Sequence, residues 1–132
     1  MKRILIVDDE QNIREVLKEY LEFNGFEVIT ADDGYEAVDM CKREDYDFIV
    51  MDIMMPKMDG IETMKQIRRL AGNQNPMAPI IVLTANATAG SQKQYIEEGF
   101  DDYLAKPVQS EKLEQMIFEY LPKRMIQKRD ME

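Results

Sequence analysis

Histidine and tryptophan are both missing from this chain of 132 residues, and there is a single cysteine. Without histidine there is no imidazole to act as general base, as phosphodonor or as zinc ligand, and one thiol leaves soft-metal sites closed. The lone Cys41 rules out an internal disulfide and fits a reducing compartment. With Ala37 and Val38 it falls on one face of an expected helix, where a small apolar residue packs well. No apolar run reaches the roughly 18 residues that suggest a membrane span. Met1-Lys2-Arg3-Ile4 leads into too short an apolar stretch for a secretory signal, so a cytoplasmic location and no membrane association are expected. Basic residues are outnumbered, 17 Lys and Arg against 26 Asp and Glu, for a net charge of −9. That sign opposes the counterion displacement on which nucleic-acid binding depends, so no direct nucleic-acid contact is expected. Hard-metal chemistry with oxygen ligands is what remains.

What is present is a repeated pattern. Ile4-Leu5-Ile6-Val7 runs into Asp8-Asp9, and Phe48-Ile49-Val50-Met51 into Asp52. Ile80-Ile81-Val82-Leu83 runs into Thr84, and Tyr103-Leu104-Ala105 into Lys106-Pro107. As parallel strands of one sheet, these runs would bring three carboxylates, a hydroxyl and an ammonium to one edge, where open α/β sheets bind ligands. Crowded carboxylates repel one another unless a cation sits among them, so the cluster asks for a metal. Lys106 and Thr84 are then placed to hold an anionic group brought to it.

Between the runs the apolar spacing is helical. Ile13, Val16, Leu17, Tyr20 and Leu21 share one helix face, stopped by Gly25. Phe26–Ala31 reads as a second strand and Asp33–Arg43 as a second helix. Ile61, Met64, Ile67 and Leu70 mark a third helix closed by Gly72, and Asn73–Pro79 is a loop. A poorly amphipathic helix over about Ala89–Glu98 ends at Gly99. Asp102–Ala105 is a short strand, and Leu113, Met116, Ile117, Tyr120 and Leu121 define a last helix stopped before Pro122. Five βα units predict an α/β fold, a parallel sheet with helices on both faces. One domain is expected over residues 1–122, followed by a charged tail over 123–132.

Val7-Asp8-Asp9-Glu10, Met51-Asp52, Met55-Pro56-Lys57-Met58-Asp59-Gly60, Leu83-Thr84-Ala85 and Lys106-Pro107 together resemble the response-regulator receiver domain of two-component and phosphorelay signalling. The resemblance covers about residues 2–121. It implies a doubly wound, flavodoxin-like five-stranded parallel sheet in the order 2-1-3-4-5, flanked by five helices. It implies Asp52 as phosphoacceptor, with Mg²⁺ held directly by Asp9, Asp52 and the backbone carbonyl of Met54, and by Asp8 through water. Lys106 and Thr84 would contact the phosphoryl oxygens, and Thr84 and Tyr103 would form the switch. A cis Lys106-Pro107 bond is implied as well. Asp59 reads as a cap or turn residue rather than a ligand. Met54 and Asn86 stand where other receivers carry side chains that orient water, which suggests a long-lived phosphoryl group.

The partners so implied are a histidine kinase, a histidine phosphotransfer protein, or both, with output by protein contact or onward transfer. A monomer is expected, with a dimer on phosphorylation as the alternative. The segment from Leu83 to Pro107 looks most like receivers fused to hybrid histidine kinases, so a receiver excised from such a kinase is the nearest alternative. A Mg²⁺ phosphohydrolase of the haloacid-dehalogenase type would need its nucleophile after the first strand in an Asp-x-Asp arrangement; here Asp8 and Asp9 are adjacent. A metal-free pseudo-receiver would not need the complete set of site residues.

Overall fold

The computed structural model describes residues 2–70 and 78–121. In chain order it contains β1 (Arg3–Val7), α1 (Gln11–Phe23), β2 (Glu27–Ala31), α2 (Gly34–Arg43), β3 (Phe48–Asp52), α3 (Gly60–Arg68), β4 (Ile80–Thr84), α4 (Ala89–Glu98), β5 (Asp102–Ala105) and α5 (Ser110–Tyr120). All strand pairings are parallel, in the order β2-β1-β3-β4-β5. The three inner strands are continuous runs of branched and large apolar residues because both of their faces are covered. Every residue of β3 and β4 is buried.

Alternate residues of those strands feed two cores. Ile4, Ile6, Phe48, Val50, Ile81 and Leu83 pack with Leu17 and Leu21 of α1 and Leu113 and Ile117 of α5. Leu5, Val7, Ile49, Met51, Ile80 and Val82 face the other way, onto α2, α3 and Tyr95 of α4. Cys41 is buried in that second core as expected, and burial pushes its thiol pKa up to about 12.

Local chemistry sets the boundaries. Asp33 Oδ1 caps α2 by accepting from the Glu36 amide at 2.8 Å, and Asp59 Oδ1 caps α3 from the Glu62 amide at 2.9 Å. Helix α1 closes with paired bonds from Gly25 N to Glu22 O and from Phe26 N to Leu21 O, both 3.1 Å, with Gly25 at φ 95°. This is the turn that glycine after a helix favours.

Two expectations need correcting. Val16 is 59% exposed rather than inward. Adjacent helical residues point about 100° apart, so Leu17 takes the core position and Val16 stays on the flank. Helix α3 ends at Arg68, short of Leu70, because the Arg69 and Leu70 amides tighten onto carbonyls three residues back at 3.2 Å. The helix stops expected from Gly72 and Pro122, most of the 73–79 loop and the 123–132 tail lie outside the described residues.

Candidate functional site

Strand register brings the predicted residues together. Val7 pairs with Met51, so Asp8 emerges level with Asp52; Asp52 pairs with Leu83, and Thr84 pairs with Ala105, one residue before Lys106. The Lys106-Pro107 bond is cis. Asp8, Asp52 and Thr84 are 0%, 2% and 1% exposed. The Lys106 ammonium lies 3.2 Å from Asp52 Oδ1, 3.4 Å from Asp8 Oδ2 and 3.3 Å from Glu10 Oε1.

The floor of the site is shaped by the loop after β3. Gly60 N donates to Ile53 O at 3.0 Å, and a Cβ on Gly60 would stand 2.5 Å from the Asp52 carbonyl oxygen. Only glycine lets the start of α3 approach the end of β3 so closely. The Met54 amide donates to Asp52 Oδ1 at 3.4 Å, while the Met54 side chain is 77% exposed.

Electrostatics follow from burial. The Asp52 carboxyl is pushed up to about 6, first by desolvation and next by the negative charge of Asp8, against the lowering pull of Lys106 and the Met54 amide. Burial also raises Asp8, more than the Glu10 amide and Lys106 lower it. For Lys106, burial works against the charged form, but Asp8, Asp52 and Glu10 outweigh it, so the ammonium is held above its ordinary value. Among the described residues no hydrogen bond reaches the buried Asp8 Oδ2; its contact with Lys106 is an ion pair without hydrogen-bond alignment.

Such an arrangement has cation demand left over. Asp8, Asp9 and Glu10 each offer a carboxylate oxygen within 4.8 Å of the others, Asp8 buried and the other two exposed. An all-oxygen, anionic donor set with an unsatisfied buried oxygen fits Mg²⁺. Asp52 stands beside this trio, paired with Lys106.

Thr84 makes all its side-chain hydrogen bonds away from the carboxylates. Its Oγ1 accepts from Asn86 N at 2.9 Å, lies 3.1 Å from Asn86 O, and contacts the Tyr95 hydroxyl at 2.8 Å. Tyr103 is half-buried and lines a cleft of about 400 Å³ together with Ala87, Gln92 and Lys106.

A profile of the response regulator receiver domain family matches residues 4–118. The chain belongs to that family. The receiver is 46% identical over 106 residues to the alkaline phosphatase synthesis transcriptional regulatory protein PhoP of Bacillus subtilis, covering 80% of this chain and 42% of PhoP. It is 42% identical over 111 residues to the response regulator MprA of Mycobacterium avium, covering 84% of this chain and 47% of MprA. The chain thus spans less than half the length of these curated relatives. Among solved structures, Vibrio cholerae chemotaxis protein CheY4 superposes with a TM-score of 0.83 at 31% identity, covering 92% of this chain and 99% of that one. The receiver domain of the sensor histidine kinase PA1611 from Pseudomonas aeruginosa superposes with a TM-score of 0.79 at 34% identity, over 90% and 96% of the two chains. That structure has a magnesium ion coordinated in its active site cleft.

The receiver therefore has a phosphoacceptor signalling role, and receivers are signalling proteins rather than enzymes with a separate substrate. Two residues went unassigned in the sequence. Glu10 joins both the acidic trio and the Lys106 cluster, and its place directly after Asp8-Asp9 was the available signal. Tyr95 was hidden as the one aromatic residue in the polar α4.

Proposed function

We propose that Asp52 is the phosphoacceptor of this receiver, that Mg²⁺ is its cofactor, and that a phosphohistidine on a kinase or phosphotransfer protein is its donor. The observation that carries the reading is the buried Asp52 carboxylate 3.2 Å from the Lys106 ammonium, beside an acidic trio with one unsatisfied oxygen. An Asp52 oxygen bonds to phosphorus as the bond from phosphorus to the donor's histidine nitrogen breaks, the nitrogen leaving with the electron pair. Transfers of this kind depend on positioning and charge neutralisation more than on covalent help from the protein. Bound Mg²⁺ supplies positive charge against the phosphoryl oxygens.

The chain's own residues do the rest. Asp8, Asp9, Asp52 and the Met54 carbonyl are the proposed ligands, and Glu10 joins them through its place in the acidic trio. Lys106 holds a second positive charge against the transferred group. Thr84 turns its hydroxyl to a phosphoryl oxygen, and half-buried Tyr103 moves inward as it does so. The altered surface around α4 and Tyr103 is what a downstream partner reads. An apolar cleft of about 550 Å³, lined by Ile13, Val16, Leu17, Pro107 and Val108, opens beside Glu10 and Lys106 and supports docking of the donor next to Asp52.

The same geometry lets the receiver catalyse its own phosphorylation and, with water in place of a partner histidine, its own dephosphorylation. The test is a panel of autophosphorylated histidine kinases and phosphotransfer proteins carrying labelled phosphate. Rapid transfer from at least one of them to the wild type, and none to Asp52→Asn, is expected. Absence of labelling from every donor, and from acetyl phosphate with Mg²⁺, would remove the assignment.

A further inference from the structure

The Thr84 hydroxyl belongs to a closed group of three. Tyr95 is 8% exposed, and its phenolic oxygen lies 2.8 Å from Thr84 Oγ1 and 3.2 Å from the Asn86 carbonyl oxygen, which is itself 3.1 Å from Thr84 Oγ1. The Asn86 amide donates to Thr84 Oγ1 at 2.9 Å. Each hydroxyl has one proton, and the 2.8 Å contact between the two hydroxyl oxygens needs one of those protons between them, so two arrangements satisfy the group. In one, Thr84 donates to Asn86 O and Tyr95 donates to Thr84. In the other, Tyr95 donates to Asn86 O and Thr84 donates to Tyr95. In both, the Thr84 proton is already committed within the β4–α4 region, and Tyr95 shares a hydrogen bond with the Thr84 hydroxyl.

We propose that Tyr95 is a positioning residue for the switch: its buried hydroxyl holds the Thr84 hydroxyl in the unphosphorylated arrangement, and that bond must break before Thr84 can reach a phosphoryl group on Asp52. The inference rests on the role given to Thr84 above and adds a residue that sets how far the switch is biased toward rest. When Thr84 turns away, Tyr95 keeps its ring in the apolar core and retains Asn86 O as an acceptor. The bias is therefore that of one buried hydrogen bond. Removing it shifts a two-state equilibrium by roughly 2- to 10-fold.

The experiment uses beryllofluoride, a tetrahedral stand-in for a phosphoryl group on a carboxylate. Its affinity is measured by calorimetry at saturating Mg²⁺ for wild type, Tyr95→Phe, Thr84→Ala and the double variant. Tyr95→Phe keeps the ring, and an unchanged Mg²⁺ affinity checks that the site is intact. The expected result is beryllofluoride binding roughly 2- to 10-fold tighter in Tyr95→Phe, with no gain from the same change in the Thr84→Ala background. A merely structural role for Tyr95 would not give that dependence on Thr84. If Thr84→Ala weakens binding but Tyr95→Phe equals or weakens the wild type, the positioning role is overturned. If Thr84→Ala binds like wild type, the role of Thr84 itself fails, and the latch with it.

Discussion

Replacing Asp52 by Asn should make the metal-free protein more stable, although it removes an ion pair. The Lys106 contact lowers the Asp52 pKa, yet burial and the Asp8 charge win, and the carboxyl titrates near 6 against an ordinary 3.8. Each pKa unit corresponds to about 1.4 kcal/mol, so holding Asp52 ionised at pH 7.5 costs the folded state on the order of 2–3 kcal/mol. Asparagine keeps the shape and an acceptor for the Met54 amide without that cost. Because the folded pKa is raised, the wild type keeps its stability below about pH 4, where Asp52 is protonated in both folded and unfolded chains. It loses stability as pH rises from about 4 through 6. The advantage of Asp52→Asn should accordingly be full at pH 7.5 and nearly gone at pH 4. Urea unfolding in EDTA, followed by far-ultraviolet circular dichroism at pH 7.5, 6 and 4, measures it. Excess Mg²⁺ should narrow the gap at pH 7.5 by stabilising the wild type. A variant less stable than wild type at pH 7.5 in EDTA, or an advantage of equal size at pH 4, would refute the electrostatic argument.

Mg²⁺ at ten times its Kd should stabilise the wild type by about 1.4 kcal/mol and raise its Tm, and Asp9→Ala should lose most of that shift; an undiminished shift would remove Asp9 from the ligand set. Met54→Asn, at a side chain 77% exposed beside Asp52, should speed loss of phosphate several-fold by orienting water, with Mg²⁺ affinity little changed because the backbone carbonyl remains. A decay time course of purified phosphoprotein decides it, and equal or slower decay would show that Met54 does not shield the bond. Cys41 is raised from an ordinary 9.0 to about 12 and Tyr46 from 10.0 to about 12, so the unfolded chain ionises first between those limits and stability should fall as pH rises above about 9. Cys41→Ala should show a shallower decline in urea midpoint between pH 9 and 11, and an identical slope would count against the thiol's part in it.

The fold was legible because covered parallel strands leave unbroken apolar runs, and three of them end on Asp8, Asp52 and Thr84. The convergence of Asp8, Asp52, Thr84 and Lys106 followed from that, since strand ends in a parallel sheet share one edge. Helix ends were less legible. Arg69 and Leu70 tighten onto the last turn of α3 through bonds that the spacing of Ile61, Met64 and Ile67 does not encode. Val16 carried the right period but sits on the flank beside Leu17. Tyr95 was invisible for a different reason: its partner Thr84 lies eleven positions away across a loop, and no periodicity reports a contact between two hydroxyls.

The central claim is that Asp52 carries the phosphoryl group. Intact-mass measurement after incubation with acetyl phosphate and Mg²⁺, before and after hydroxylamine, tests it most directly. One phosphoryl group per wild-type chain, removed by hydroxylamine and absent from Asp52→Asn, is the predicted result. A hydroxylamine-resistant adduct, or labelling of Asp52→Asn at the wild-type rate, would contradict it.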